Sequence, residues 1–214
     1  MVSIAHLTLE IEEITIRDKT LRIFLPAKLE EIFQGDPFLE IEKFPFWARI
    51  WEASLVLADY ITTIEPSKKI LELNAGLGTP SLVAASLGHK VLATDYEKLP
   101  LEFIKLSAKE NNLTIETQIL DWRNPNLSGK FDLIIGSEVI LKKSLFEPLI
   151  KLFKNYLENN GEIILSHSSE RKRVLVPFLY KAQKDFEILT SVRKLRSEEE
   201  TTEIILNKLK FKKN

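Results

Sequence analysis

The residues best suited to chemistry in this chain lie in and just after the stretch Lys69-Ile70-Leu71-Glu72-Leu73-Asn74-Ala75-Gly76-Leu77-Gly78-Thr79-Pro80. A short apolar run feeds a turn in which Gly76 and Gly78 let the backbone take positive φ and come close to a ligand. Thr79 is expected to cap the helix that follows, and Pro80 suits its first turn. Free N–H groups and the positive end of a helix dipole would then face whatever sits above the strand's carboxyl end. Seventeen residues after Gly78, the run Lys90-Val91-Leu92-Ala93-Thr94 ends in Asp95, close to the roughly 20-residue offset at which an acidic residue receives a ribose. A carboxylate there accepts hydrogen bonds from both ribose hydroxyls. The chemistry indicated is the binding of a nucleoside-containing cofactor. A ligand-free turn followed by a capping aspartate is the plainer alternative.

These residues must be positioned by alternating strands and helices. Strands are expected at 69–74, 90–94, 115–119, 131–136 and 162–167, with helices at 80–87, 98–111 and 144–158 between them. Such alternation implies right-handed crossovers and a parallel sheet. Asn159-Asn160-Gly161 reads as the turn between the last of these helices and its strand. Phe186 to Leu195 and Thr201 to Phe211, joined by the charged turn Ser197-Glu198-Glu199-Glu200, read as a closing antiparallel pair. Upstream, alternation by two over residues 6–25 predicts a hairpin turning at Arg17-Asp18-Lys19-Thr20 and stopped by Pro26. A short helix is expected from Lys28 to Phe33. The spacing of Ala53, Leu55, Val56, Leu57, Tyr60, Ile61 and Ile64 predicts a helix after an aromatic segment, Phe44-Pro45-Phe46-Trp47-Ala48-Arg49-Ile50-Trp51.

Composition narrows the function. The 214 residues are 44% hydrophobic with a net charge of -1, enough for one domain with a full core and without the basic excess that a nucleic acid or anionic membrane would call for. The absence of cysteine rules out disulfides, thiolate metal sites and a cysteine nucleophile. His6, His89 and His167 are far apart in sequence, and no metal site is expected. No signal-peptide core or membrane-length apolar run is present. The expected setting is the cytoplasm and the expected state a monomer.

Gly76-x-Gly78-x-x-Ser81 nearly fits the dinucleotide fingerprint, with Ser81 where glycine or alanine is wanted. A different cofactor is indicated by resemblance. Leu71 to Gly78 resembles motif I of the class I, seven-strand S-adenosylmethionine-dependent methyltransferases, and Asp95 falls on their acidic residue after the second strand. Leu120-Asp121-Trp122 resembles their adenine-contacting motif, and Phe131 to Glu138 their fourth strand. Pro45-Phe46-Trp47-Ala48-Arg49-Ile50-Trp51 is similar to the aromatic segment of methyltransferase family 16, the protein-lysine methyltransferase-like group that includes the electron-transfer-flavoprotein β-subunit lysine methyltransferases. The similarity runs from about residue 44 to the end.

This resemblance implies a Rossmann-like three-layer α/β sandwich with a seven-strand, mainly parallel sheet and an antiparallel last strand, preceded by the small hairpin. It divides the chain into an extension, 1–43, and an S-adenosylmethionine-dependent methyltransferase domain, 44–214. It implies cofactor contacts from Trp51, Glu72, Asn74, Ala75, Gly76, Gly78, Asp95, Tyr96, Asp121, Trp122 and Ser137. Glu138 matches the acidic residue of the family's acidic-x-x-aromatic motif and is the catalytic candidate on the acceptor side; a capping glutamate is its plainer role. The implied acceptor is a protein lysine. Two departures stand out: Asn74 replaces the usual glycine, a mild change because asparagine tolerates left-handed backbone, and Leu141 replaces the aromatic. Leu141 keeps open a small-molecule N- or O-methyltransferase, or a non-catalytic S-adenosylmethionine-binding module.

Overall fold

In the computed structural model, which describes residues 4–65, 67–196 and 201–212, the central element is a seven-stranded sheet. Strands β3 (Lys69–Glu72), β4 (Lys90–Asp95), β5 (Glu116–Ile119), β6 (Phe131–Ser137), β7 (Leu157–Ser168), β8 (Phe186–Arg196) and β9 (Thr201–Phe211) lie in the order β5-β4-β3-β6-β7-β9-β8. The first five are parallel, whereas β9 runs antiparallel to β7 and β8 antiparallel to β9. Helices α1 (Glu52–Ile61), α2 (Thr79–Ser86), α3 (Lys98–Glu110), α4 (Phe146–Tyr156) and α5 (Lys172–Ala182) complete the fold.

Ile70, Leu71, Ile134, Ile135, Ile163, Ile164 and Leu165 are fully buried, as strands covered on both faces require. One core, from Leu71, Ile134, Phe153, Phe178 and Phe186, is built with α4 and α5; the other, from Ile70, Ile135, Ile164, Leu57 and Ile61, is built with α1. Together these make the three layers. From β3 the chain steps to β4 and β5 on one side, then returns to β6 and β7 on the other. The carboxyl ends of β3 and β6 therefore flank a topological switch point, where open α/β sheets bind their ligands.

The N-terminal hairpin is β1 (Leu9–Ile16) with β2 (Lys19–Pro26), paired from Leu9↔Pro26 to Ile16↔Lys19. The turn is tighter than the sequence suggested, because Arg17 takes a left-handed conformation, φ 55°; Pro26 ends the ladder from inside it. Leu7, Ile14, Leu21 and Ile23 are buried against Leu77, Leu82, Val83 and Phe103, so the hairpin braces the two helices after the glycine turn. Phe24 N–H donates to Ser107 Oγ on α3 (2.9 Å).

Other differences have local causes. Residues 158–161 lie within β7 as a bulge, since Phe131 pairs with Leu157 and Leu133 with Glu162; Asn159-Asn160-Gly161 supplies its bend and not a free turn. Helix α5 goes unrecognised in the sequence because Pro177 interrupts it, although Leu175, Phe178 and Ala182 recur at helical spacing and are buried. The helix expected at Lys28–Phe33 is a single 3-10 turn, Leu29–Glu31. The turn at 197–200 lies outside the described residues. Among the described residues no helix is long and apolar enough to cross a membrane.

Candidate active site

The site is built where β3 stops. Leu73 N–H donates to Ile135 O (2.9 Å) and Ala75 N–H to Thr94 O (2.9 Å), so the turn is laced to the strands on either side. Asn74, Gly76 and Gly78 all have positive φ: 53°, 55° and 72°. The left-handed tolerance of asparagine is thus used at the position where glycine is usual. A Cβ on Gly78 would stand 2.7 Å from Ile104 Cγ1, whereas at Gly76 the neighbour is the backbone of Trp47, 3.6 Å away. The aromatic segment therefore crosses over Gly76. The indole of Trp47 packs on Phe103, 5.6 Å between centroids.

The helix N-terminus differs from expectation. Gly78 is its cap residue and Thr79 its first helical residue, with no side-chain cap bond from either. The carboxylate of Glu72 fills that role. Its Oε2 accepts from Ser81 N–H (3.0 Å) and from Ser81 Oγ, which puts an acidic group on the positive end of α2. Nor are the turn's N–H groups free as anticipated: Gly76 N–H donates to Asp95 Oδ2 (3.0 Å) and Gly78 N–H to Ala75 O (2.8 Å). Glu72 is completely buried, which pushes its carboxyl up to about 8 against the opposing Ser81 bonds, with the Asp95 charge adding to the rise. Its Oε1 is buried with no partner among the described residues.

Asp95 ends β4, buried, with Oδ1 accepting from Glu97 N–H (3.0 Å). Burial raises its carboxyl to about 6, opposed by the bonds from Glu97 and Gly76. The next strand brings Asp121 alongside, because Leu120 N–H donates to Asp95 O (2.8 Å). Asp121 Oδ1 accepts from Arg123 N–H (2.9 Å), and half-buried Trp122 packs on the core beside it. Tyr96 is 66% exposed.

Across the switch point, half-buried Ser137 leads to Glu138, whose φ is 54°. Glu138 N–H donates to Ser166 O (2.8 Å), and its Oε1 accepts from Ser168 N–H (2.6 Å). Oε2 lies 3.2 Å from Arg171 Nε, outside hydrogen-bond geometry. Burial raises the carboxyl, and Ser168 and Arg171 oppose the rise. The loop beyond is held by His167, whose Nε2 accepts from Ile140 N–H (3.1 Å). Burial lowers His167 to about 3, with Arg171 adding to the effect, so the ring is a neutral acceptor. Leu141 is 43% exposed. Trp51 is fixed by its indole N–H to Phe46 O (2.6 Å), with the Arg49 guanidinium 4.1 Å over the ring.

The fold therefore lines up Asp121, Asp95, the Gly76 turn and Glu138 along the carboxyl edge of the sheet. Ser81, His167, Ser168 and Arg171 join them; only Ser81 carried a sequence signal, as the misfit in the glycine fingerprint.

A family model described as lysine methyltransferase matches residues 45–190, from the aromatic segment through α5 into β8. The chain belongs to the lysine methyltransferase family. Among its relatives, protein N-lysine methyltransferase METTL21A of Mus musculus is 36% identical over 132 residues, 56% of this chain and 59% of that protein. Histone-arginine methyltransferase METTL23 of Mus musculus is 28% identical over 124 residues, 53% of this chain and 49% of that protein. The chain thus spans roughly half to three-fifths of the curated relatives it matches. The ribosomal protein L11 methylase of Lactobacillus delbrueckii subsp. bulgaricus shares the fold with a TM-score of 0.59 and 22% identity, over 76% of this chain and 79% of that one.

Membership in the lysine methyltransferase family makes S-adenosylmethionine the cofactor, and the site's chemistry suits it. The buried, unpartnered Oε1 of Glu72 and the buried carboxyl of Asp95 offer oxygens to the N–H and O–H groups of a ligand. A dinucleotide would bring its pyrophosphate to the N-terminus of α2, where Glu72 already takes the Ser81 N–H.

Proposed function

We propose that this chain is an S-adenosylmethionine-dependent methyltransferase acting on a lysine side chain of a protein. The observation that carries the cofactor part of the reading is the closure of α2 by Glu72 beside Asp95, which takes up the Ser81 N–H that a diphosphate would need. When bound, S-adenosylmethionine supplies an electrophilic methyl on a sulfonium sulfur, open to in-line displacement.

The chain's own residues have the remaining tasks. Asp95 holds the ribose hydroxyls, Asp121 and Trp122 receive the adenine, and the Gly76 turn with Trp47 above it shapes the floor. Trp51 closes the pocket with an aromatic face that favours a cation. The acceptor ammonium, with an ordinary pKa near 10.4, must lose its proton before attack. Desolvation between Trp51 and the rim lowers that pKa, and the Glu138 carboxylate, held by Ser168 N–H and paired with Arg171, sets the orientation of the amine. Alignment and water exclusion then supply most of the acceleration. Residues 44–214 form the transfer unit, and 1–43 brace it and face the acceptor.

A small-molecule acceptor is the second reading, favoured by exposed Leu141, which leaves that wall without an aromatic ring. The test is calorimetry of the purified chain with S-adenosylmethionine, S-adenosylhomocysteine and a nicotinamide dinucleotide, followed by tritiated S-adenosylmethionine in a lysate. Binding of the adenosyl ligands with a labelled protein band is expected. Label confined to small molecules selects the second reading, and binding of the dinucleotide overturns both.

A further inference from the structure

The two edges of the sheet are built differently. One is β5, four residues long, the kind of short strand by which proteins ordinarily blunt an edge. The other is β8, 11 residues long, free of proline and paired to β9 without a bulge. Among the described residues β8 is bonded on one side only, so its outer backbone N–H and C=O groups form an open ladder. Leu189 is 64% exposed and Val192 53%. Phe186 and Ile188 join the core built with α5, and Leu195 the core built with α1. Even positions of β8 therefore face the α5 side and odd positions the α1 side, and apolar side chains stand out on both. On the α5 side a groove of about 310 Å³ is lined by Val176, Leu179, Tyr180, Gln183, Ile188 and Thr190.

The charges of β8 are divided end from end. Glu187 stands in its first half, and Arg193, Lys194 and Arg196 in its second. Lys194 is held by Glu203 (3.3 Å), and Lys210, opposite Glu187 on β9, by Glu162 (3.6 Å). Glu187 and Arg193 are both exposed, with no ion-pair partner among the described residues. A second β8 laid antiparallel about a two-fold axis normal to the sheet keeps like faces together, so opposed residues share parity. An axis at Leu189 opposes Glu187 to Ser191, and an axis at Ser191 opposes it to Leu195. An axis at Thr190 sets Glu187 against Arg193, once on each side. That same register lays Ile188 against Val192 of the second copy, beside the groove. A net charge of -1 leaves little repulsion between copies.

We propose that β8 is a self-docking edge, to which a second copy of this chain adds its own β8 antiparallel about Thr190. The interface is isologous: the ladder and the apolar side chains supply affinity, and the two Glu187–Arg193 pairs fix the register. Because β7 and β8 both run antiparallel to β9, they run the same way as each other. The carboxyl edges of the two joined sheets then point in opposite directions, and both candidate active sites stay open. The inference goes beyond the methyl-transfer reading, does not rest on it, and replaces the monomer expected from the sequence.

The test is sedimentation velocity on the full chain across a dilution series up to about 200 μM, which reaches weak association. The parent should dimerise. Arg193→Glu and Glu187→Arg should each weaken the dimer at least about tenfold, since each sets like charges opposite one another at both pairs. Mixed in equal amounts, the two variants should form a heterodimer within about threefold of the parent's strength, because glutamate again meets arginine on both sides of the axis. A chain carrying both substitutions should dimerise as the parent does. Recovery on mixing separates a lost pairing from a lost fold, and unchanged unfolding temperatures should accompany it. A parent that stays monomeric, single variants that dimerise like the parent, or a mixture that stays monomeric each overturns the proposal.

Discussion

Replacing Glu72 by glutamine should stabilise the protein, by an amount set by pH. Glu72 is wholly buried, and its carboxyl is raised from the ordinary 4.5 to about 8. In the unfolded chain it ionises near its ordinary value. Below that pH both states are protonated and the group costs nothing. From about pH 4.5 to 8 the unfolded chain gives up the proton and the folded protein keeps it, so stability falls as pH rises, then levels off above the folded pKa. At about 1.36 kcal/mol per pH unit, the rise sets a ceiling of about 5 kcal/mol; relaxation around the charge brings the expected effect to about 2–5 kcal/mol. Glutamine keeps the shape of the neutral acid, and its carbonyl can still accept from Ser81. For a chain of this length the gain corresponds to about 5–15 °C in Tm at pH 9. Asp95 titrates in both proteins, so the difference between the two curves isolates Glu72 together with its coupling to Asp95. Urea unfolding of both proteins from pH 4 to 9 should show the curves converging at the acid end and separating through the window. Parallel curves, or a glutamine variant that is the less stable at pH 9, would refute the buried-acid account.

Three further outcomes follow from the same geometry. Asp95→Asn should weaken S-adenosylmethionine binding by about 1–3 kcal/mol through lost charged hydrogen bonds, and calorimetry giving the parent's affinity would remove Asp95 from the ribose site. Glu138→Gln should lower turnover far more than cofactor affinity; equal rates of methyl transfer in single-turnover assays would discard its acceptor-side role. Gly78→Ala, which places a Cβ 2.7 Å from Ile104 Cγ1 at a φ of 72°, should cost about 2–4 kcal/mol from left-handed strain plus displacement of Ile104, read as a fall in the urea midpoint.

Local pattern carried much of this protein. The apolar runs ending at Glu72 and Asp95, and the glycines between them, write the β3 turn and the alternation of strand and helix directly into the sequence, because each is a contiguous stretch with its own period. Asn74 was legible for the same reason, since a left-handed residue needs only its own side chain. What escaped depends on partners distant in sequence. Glu72 could not be read as the cap of α2 without Ser81, nine residues on, and nothing in the neighbourhood of Glu138 announces Ser168 and Arg171 as the groups that hold its carboxylate. The open edge at Leu189 and Val192 was hidden too, because in one dimension an apolar residue looks the same whether the fold covers it or leaves it out.

The order of the strands has a temporal consequence. β9 sits between β7 and β8 although it is made after both, and it pairs with the part of β7 that carries His167 and Ser168, at His167↔Ile205 and Ser168↔Ile204. On the ribosome, the half of the sheet bearing the glycine turn, Asp95 and Asp121 can assemble from residues that have already emerged. β7 waits with one edge bare until the last strand threads in beside it. The partners of Glu138 and of the Ile140 loop thus lie on a stretch of β7 whose outer edge is closed only by the last-made strand.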